Sequence, residues 1–313
     1  MPSPKQLVPS NLCTPIKMLR DELEVLSTHE PILLNNETCV YCASLLGKPM
    51  TTKEHVIGRR FVPRGTLAGQ WNLILRACRS CNRRKSDLED DLSAITMQPD
   101  MWGQFADHDP VLALEAIRKA RSASRRTRKQ VKDSSESRII TASLGPNGTM
   151  GLTFISPPQT DRQRVFELSR FHLTAFFYWI TYNDQTKRGG YWPGTFLPVA
   201  EAVKSDWGNP THRAFMKTVL DWTPRLVAVG ANGFFRVAIR RHPSAICWSW
   251  ALEWNHKHRI IGFFGEQAQA EAVFANFPQP QTHIIAQSAN ECLRVREEIA
   301  LSQEEDQLFS LVL

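Results

Sequence analysis

Residues 39–85 read CVYCASLLGKPMTTKEHVIGRRFVPRGTLAGQWNLILRACRSCNRRK, and this stretch contains the most informative pattern in a chain of 313 residues. Two Cys-x-x-Cys pairs, Cys39 with Cys42 and Cys78 with Cys81, bracket it. Both thiolates of such a pair can reach one ion, and two pairs complete a tetrahedral Zn²⁺ site. In an intracellular chain this spacing favours metal binding over disulfide formation. We therefore expect one structural zinc ion bound by these four cysteines.

The interval between the two pairs, positions 43–77, is longer than the roughly 15–20 residues of a simple zinc finger. An additional structural element must therefore be looped out between the two halves of the zinc site. Glu54-His55 and Asn72 lie in that interval.

The order Cys-x-x-Cys, Glu-His-Val-Ile, Asn-Leu-Ile-Leu and Cys-x-x-Cys-Asn-x-x-Lys resembles the zinc-stapled branch of the HNH endonucleases. The resemblance covers roughly a fifth of the chain. It implies a ββα-metal (His-Me) finger with a four-cysteine zinc site, and we expect a separate α+β domain to follow it. The chain departs from the family pattern at three positions: Glu54 stands where Asp is frequent, Asn82 where His is frequent, and Gly58 where Pro is common.

The resemblance implies a role for each polar residue of the motif. His55 would be the general base that takes a proton from the attacking water, because imidazole titrates near neutral pH. Glu54 and Asn82 offer the hard oxygen ligands that suit a catalytic Mg²⁺ or Mn²⁺. Asn72 would fix the loop that orients His55. Glu54 and His55 would point to opposite faces of a strand, so we expect a bend or irregularity that brings both to the site.

The charge distribution favours a polyanionic partner for the N-terminal half. The net charge is +7, and residues 1–138 carry 22 Lys/Arg against 16 Asp/Glu. Between Glu54 and Asp87 there are eight basic residues and no acid. Such residues can contact phosphates without reading sequence. We expect DNA as the partner, with RNA as an open alternative, and the predicted contacts are Arg59, Arg60, Arg79, Arg83, Arg84 and Lys85.

Composition changes along the chain predict four segments: a lead-in at 1–34, the nuclease domain at 35–100, a basic helix or linker at 101–138, and an α+β domain at 139–313. The patterns predict helices at 16–26, 110–132 and 165–182. They predict a hairpin of strands 138–144 and 150–156, and later strands at 226–229, 234–241, 246–254, 259–264 and 283–286. The basic run 118–132 is interpreted either as a solvated helix or as an arm that tracks phosphates. Asp107-His108 is interpreted as a loop or helix cap.

Two patterns in the last segment have competing interpretations. Three tryptophans alternate along a predicted strand, which favours core packing over base stacking: Trp248, Trp250 and Trp254. Three arginines could line a nucleic-acid surface or lie on an exposed strand edge: Arg236, Arg240 and Arg241.

These observations predict a metal-dependent DNA endonuclease that is cytoplasmic, because no secretion signal or membrane-length apolar stretch is evident. Nucleases with such extensions resemble restriction, phage-defence or mobile-element enzymes. This resemblance implies that the chain could act with partner proteins of a defence system. The last segment would target or regulate cleavage. The alternative is a zinc-stabilised DNA-binding regulator with an inactive nuclease centre.

Overall fold

A computed structural model describes residues 7–8, 16–19, 22–25, 29–47, 50–99, 109–123, 128–134, 136–143, 148–156, 160–287 and 292–312. Within these ranges the chain has an α+β fold with five α-helices. The helices are α1 (Arg79–Thr96), α2 (Pro110–Ala120), α3 (Arg162–Ile180), α4 (Pro210–Val219) and α5 (Gln267–Phe274). The first eight strands are β1 (Leu7–Val8), β2 (Ile16–Leu19), β3 (Glu22–Val25), β4 (Ile32–Leu33), β5 (Thr51–His55), β6 (Leu73–Cys78), β7 (Glu136–Ser143) and β8 (Thr149–Ser156). The others are β9 (Thr195–Val203), β10 (Thr223–Gly230), β11 (Phe235–Arg241), β12 (Cys247–Trp254), β13 (His258–Gly265), β14 (Thr282–Gln287), β15 (Cys292–Arg296) and β16 (Leu311–Val312).

The motif-bearing segment forms a strand–strand–helix unit. Strand β5 pairs antiparallel with β6, and β4 joins the other edge of β6 in parallel. Strand β6 leads directly into α1, whose N-cap is Cys78. The unit therefore places the second cysteine pair at the junction of a strand and a helix.

A seven-stranded sheet with the order β3-β2-β10-β11-β12-β13-β9 forms the centre of the molecule. Successive side chains alternate between its faces. On one face, residues such as Phe235 and Trp254 pack against α3 and the strand–strand–helix unit. On the other face, Phe263 and its neighbours pack against α4 and the C-terminal Leu308 and Phe309.

One buried core crosses the predicted domain boundary. Phe61 and Trp71 of the strand–strand–helix unit pack in the same cluster as α3 and the central sheet. The Trp71 indole donates a hydrogen bond of 2.7 Å to the carbonyl of Val229 in β10. Strand β2, from the predicted lead-in, pairs with β10. The four-segment division stays a prediction, but the unit and the sheet do not have separate cores.

Most predicted elements of the second half are confirmed. Helix α3, the β7–β8 hairpin and strands β10 to β14 form where the patterns place them. Trp250 and Trp254 are at most 1% exposed, which confirms core packing. Both interpretations of the arginines are wrong for Arg240. It is 1% exposed, and its strand β11 lies between β10 and β12 rather than at an edge of the sheet.

Two predicted helices are wrong. The described residues of the segment 16–26 form strands β2 and β3, because pairing with β10 overrides the local helical pattern. In the segment 110–132 the α-helix ends at Ala120, and among the described residues a bridge between Ala123 and Gln130 and a 3₁₀ turn at Val131–Asp133 follow. Serines are weak helix formers, and basic residues without acids repel one another along a helix, so the helix ends early. Asp107-His108 lies outside the described residues.

Strand β9 begins inside a segment, 189–198, whose glycine and proline content is typical of a loop, and β15 has no clear sequence pattern of its own. Pro198 is accommodated because β9 lies at the edge of the sheet, with a register shift opposite Gly262. No helix in the described ranges is both long enough and apolar enough to cross a membrane.

Candidate metal centre and active site

The four motif cysteines converge on one point. Their sulfur atoms all lie within 4.8 Å of one another, and Cys42 Sγ and Cys78 Sγ are 3.8 Å apart. Zn–S bonds of about 2.3 Å in a tetrahedron require sulfur separations of about 3.8 Å. The residues therefore fit a zinc ion, and we refer to them as the thiolate cluster (Cys39, Cys42, Cys78 and Cys81).

Backbone geometry shapes the thiolate cluster. A tight turn follows Cys39, in which the Ala43 N–H donates to the Cys39 carbonyl at 2.9 Å and Ala43 has a φ of +60°. The Cys78 N–H donates to Cys39 Sγ at 3.3 Å, which links the two halves. This link connects the first turn of α1 to the loop before β5.

The thiols differ in acidity. Burial raises the pKa of Cys39 to about 11. At Cys78 burial also raises the pKa, but hydrogen bonds from Ser80 and Cys81 outweigh it and bring the pKa to about 6. Zinc binding requires all four as thiolates, so it would release the remaining protons.

A second polar cluster lies beneath β5, and we call it the carboxylate cluster (Tyr41, Glu54, Lys85, Glu89 and His172). The Lys85 ammonium lies 2.8 Å from Glu54 Oε1 and 2.7 Å from Glu89 Oε1. The Tyr41 hydroxyl donates to Glu54 Oε1 at 3.0 Å, and His172 Nε2 approaches Glu89 Oε1 at 3.4 Å. Glu54, Lys85 and His172 are each at most 3% exposed.

Electrostatics keeps this cluster partly charged. Burial lowers the pKa of Lys85, but attraction to Glu54 and Glu89 outweighs it, so the ammonium is retained. Burial raises the pKa of Glu89, and Lys85 and His172 outweigh that effect and lower it below its usual value. Burial lowers the pKa of His172 to about 4, so this imidazole is neutral at pH 7.

Glu54 and Asn82 do not fit a divalent ion in this arrangement. An ammonium group already lies against the Glu54 carboxylate, which is buried. The Asn82 amide donates to Thr52 Oγ1 at 2.8 Å and to the Lys53 carbonyl at 3.3 Å. These contacts hold α1 against β5.

Lys85 requires a correction as well. The charge pattern predicts that it contacts phosphates, but its side chain is 1% exposed and holds two carboxylates. A nucleic acid cannot reach it without opening the core.

His55 lies on the opposite face of β5 from Glu54, because the pairing of β5 with β6 is regular throughout. The expected irregularity is therefore not present in this strand. The imidazole is half-buried. Burial lowers its pKa, and the nearby positive charges of Arg59, Lys53 and Lys85 lower it further. His55 is therefore neutral at pH 7 and able to accept a proton.

Asn72 contacts the loop that follows His55. Its amide oxygen accepts from the Ile57 N–H at 3.1 Å, and its amide nitrogen donates to the Ile57 carbonyl at 2.8 Å. Ile57 lies in the loop that follows His55, so Asn72, directly before β6, holds that loop in place. It is 6% exposed.

The remaining predicted phosphate contacts are all exposed: Arg59, Arg60, Arg79, Arg83 and Arg84. Three of them line a groove of about 690 Å³ along α1, together with Arg164 and Glu167 of α3. Arg84 forms an ion pair with Glu167. The groove is basic with an acidic rim.

Sequence reasoning missed three members of the carboxylate cluster: Tyr41, Glu89 and His172. A signal existed for Glu89, which lies one helical turn after Lys85. His172 carries no such signal, because it is embedded in an apolar helix and meets the cluster across 83 positions. No protein-family model, curated protein or solved structure matches this chain.

Proposed function

We propose that the chain is an HNH-type endonuclease that hydrolyses phosphodiester bonds in DNA. The observation that carries this proposal is the strand–strand–helix unit joined by the thiolate cluster, with His55 half-exposed on β5 and held neutral. The exposed arginines of α1 and of the loop after His55 surround this unit with positive charge.

His55 acts as the general base in this proposal. The neutral imidazole takes a proton from the attacking water, a step that typically contributes about 10²–10⁴-fold. Arg59, whose charge lowers the pKa of His55, is close enough to attract a phosphate to the same position. Because the pKa of His55 is lowered, the rate should hold constant from neutral pH to below about 6.5 before it falls.

Two metals enter the proposal differently. Zinc at the thiolate cluster would join β6, α1 and the loop before β5, which is a structural role. Dependence of cleavage on Mg²⁺ or Mn²⁺ stays a prediction, and we assign no step to such an ion, because Lys85 lies against the carboxylate that would bind it.

A second candidate is a zinc-stabilised DNA-binding regulator without nuclease activity. The burial of Glu54 against Lys85 favours it, since the carboxylate that the resemblance assigns to a catalytic ion is not accessible. A regulator of this kind would bind DNA through the basic surface without cleaving it.

Supercoiled plasmid separates the two. Full-length zinc-loaded protein is incubated with plasmid in Mg²⁺, in Mn²⁺ or in EDTA, with zinc content measured after each incubation. If the protein is an endonuclease, nicked or linear DNA appears with Mg²⁺ or with Mn²⁺. In EDTA the plasmid stays supercoiled. Intact plasmid in every condition, together with retained DNA binding, would select the regulator.

DNA binding is measured in parallel as a function of salt. Loss of one phosphate contact in Arg83→Gln should reduce the slope of log K against log salt by about 0.9. A single-stranded and a structured RNA are included as substrates, since the proposed phosphate contacts do not select the sugar. Roles in phage defence or in mobile elements, and control of cleavage by the C-terminal half, are further proposals that depend on cleavage being observed.

A further inference from the structure

The residues that directly follow the proposed general base, 56–61, form a loop, which we call the His55 loop. Loops generally run over the protein surface and are more mobile than the elements they connect. The main chain of the His55 loop is instead held by buried polar side chains that come from several other elements. The contacts are described here from the start of the loop to its end.

Lys85 holds the main chain where the His55 loop begins. Its ammonium donates to the His55 carbonyl at 3.2 Å. The same nitrogen lies 2.8 Å from Glu54 Oε1 and 2.7 Å from Glu89 Oε1. An ammonium has three N–H groups, so each has one acceptor here. The His55 carbonyl is therefore bound to a group that cannot move without breaking two buried ion pairs.

Glu89 holds the middle of the His55 loop. Its Oε1 accepts from the Gly58 N–H at 3.1 Å, and the side chain is buried. A Cβ at position 58 would overlap this carboxylate, which Lys85 keeps in place, so the close approach requires glycine. Proline, which is common at this position of the HNH pattern, has no N–H group to donate. Gly58 and Glu89 therefore depend on each other.

Two further buried side chains hold the end of the His55 loop. Lys119 of α2 donates to the Arg60 carbonyl at 2.7 Å. Asn255, in the turn between β12 and β13, donates to the Phe61 carbonyl at 3.2 Å. Both donors are at most 4% exposed. Together with the Asn72 contacts to Ile57, these bonds fix the loop at several points along its length.

We propose that Glu89 and Lys85 position His55 for catalysis by holding the main chain of residues 55 and 58. This inference rests on the proposed nuclease and deepens it. His55 is the last residue of β5, so the course of the main chain after it determines where the imidazole lies. A displacement of about 1 Å can lower a catalytic rate by about 10²-fold. The buried ion pairs thereby serve the reaction without contacting the substrate.

Amide hydrogen exchange, measured by NMR on the full-length zinc-loaded protein, tests whether Glu89 holds the loop. Glu89→Met removes the acceptor, and the Gly58 amide should exchange about tenfold faster or more, because a hydrogen bond to a charged group is lost. Glu89→Gln keeps an oxygen acceptor, so its Gly58 amide should exchange more slowly than in Glu89→Met. If Glu89→Met does not fold, Gly58→Ala takes its place, since the added methyl group displaces the same carboxylate.

The matched control is Asp206→Asn, in the 3₁₀ turn Lys204–Asp206. Asp206 is also a buried carboxylate that accepts a main-chain N–H, from Ile299, and forms an ion pair, with Arg296. This variant should leave the exchange of the Gly58 amide unchanged. Melting temperatures of all variants show how much stability each substitution removes.

Single-turnover cleavage of saturating plasmid, together with DNA affinity, tests the consequence for the reaction. Glu89→Met should cleave about 10²-fold more slowly with its DNA affinity unchanged, because the exposed arginines are retained. Glu89→Gln should recover most of the rate. Asp206→Asn should cleave as the wild type does, even where its melting temperature falls as far as that of Glu89→Met.

Three results would overturn the positioning role: unchanged exchange at Gly58 in Glu89→Met, wild-type cleavage by that variant, or an equal loss of cleavage in Asp206→Asn. Absence of cleavage by the wild type would instead contradict the proposed nuclease. The exchange rates would then still decide whether Glu89 holds the His55 loop, because they are measured without DNA.

Discussion

The thiolate cluster and the carboxylate cluster lie close to the start of the same helix, and they solve the same electrostatic problem differently. The first brings four sulfur atoms within 4.8 Å and contains no positively charged residue of its own. The second buries two carboxylates and places the Lys85 ammonium between them. The first can therefore accept a cation from solution, whereas the second already has one.

A ligand-like residue in a motif is therefore insufficient to predict a metal site. Glu54 has a carboxylate in the expected position of the sequence, yet its partner is a lysine four residues before Glu89 on α1. The fold supplies both the Glu54 carboxylate and the Lys85 ammonium. Their attraction therefore offsets the free-energy cost of burying the carboxylate, and no metal is needed.

Zinc removal should produce the largest effect. The double variant Cys78→Ser/Cys81→Ser should lose zinc and the folded structure of the strand–strand–helix unit, because structural zinc contributes about 10–16 kcal/mol in small modules. Metal analysis and circular dichroism measure both. Cys292→Ser, an exposed cysteine outside the cluster, is the control and should keep one zinc per chain. A double variant that is as stable as this control would show that the thiolate cluster needs no metal.

Removal of the internal cation should have the next largest effect. Lys85→Met leaves Glu54 and Glu89 buried without their partner, which should reduce the free energy of unfolding by about 3–5 kcal/mol. Arg84→Met breaks the neighbouring exposed pair with Glu167 and should lose less than about 1 kcal/mol. Urea unfolding compares the two. Equal losses would contradict the distinction between a buried and a surface pair.

The variant Glu54→Gln tests the cost of burying a carboxylate without its partner. Combined with Lys85→Met it removes one unpaired carboxylate, so the double variant should be more stable than Lys85→Met alone. A double variant that is less stable would mean that Glu54 is stabilised mainly by Tyr41.

A smaller effect is a pH dependence of the free energy of unfolding that results from the burial of His172. Its pKa of about 4 lies below the unfolded value of 6.5, so the unfolded chain binds more protons between these two values. Stability contributed by this group is present above pH 6.5 and is lost as the pH falls towards 4, by about 3 kcal/mol in total. His172→Phe retains the aromatic contacts and should flatten the pH dependence in this window.

The matched control is His283→Phe, an exposed histidine, which should leave the pH dependence of the wild type unchanged. Identical slopes for all three proteins between pH 4 and 6.5 would mean that folding does not lower the pKa of His172.

The thiolate cluster could be predicted from the sequence because the information is local. Cys39 and Cys42 lie in one turn, and Cys78 and Cys81 at one strand–helix junction, so spacing alone places each pair. The order strand, strand, helix was implied by the resemblance that the same stretch carries.

The carboxylate cluster could have been predicted in part. Lys85, Leu88, Glu89 and Leu92 follow the 3–4 spacing of the buried stripe of α1, so helical phase already placed Lys85 inside. The adjacent Arg83 and Arg84 made the whole run look exposed. His172 could not be predicted, because its contact with Glu89 depends on how α3 packs against α1.

Cleavage by the wild type and by His55→Ala tests the account of function most directly. Both proteins are compared on supercoiled plasmid after their zinc content, melting temperature and DNA affinity are measured. The rate of His55→Ala should be reduced by about 10²–10⁴-fold with affinity unchanged, because the base is lost and the phosphate contacts lie elsewhere. Near wild-type cleavage by a folded, zinc-loaded His55→Ala protein would contradict it.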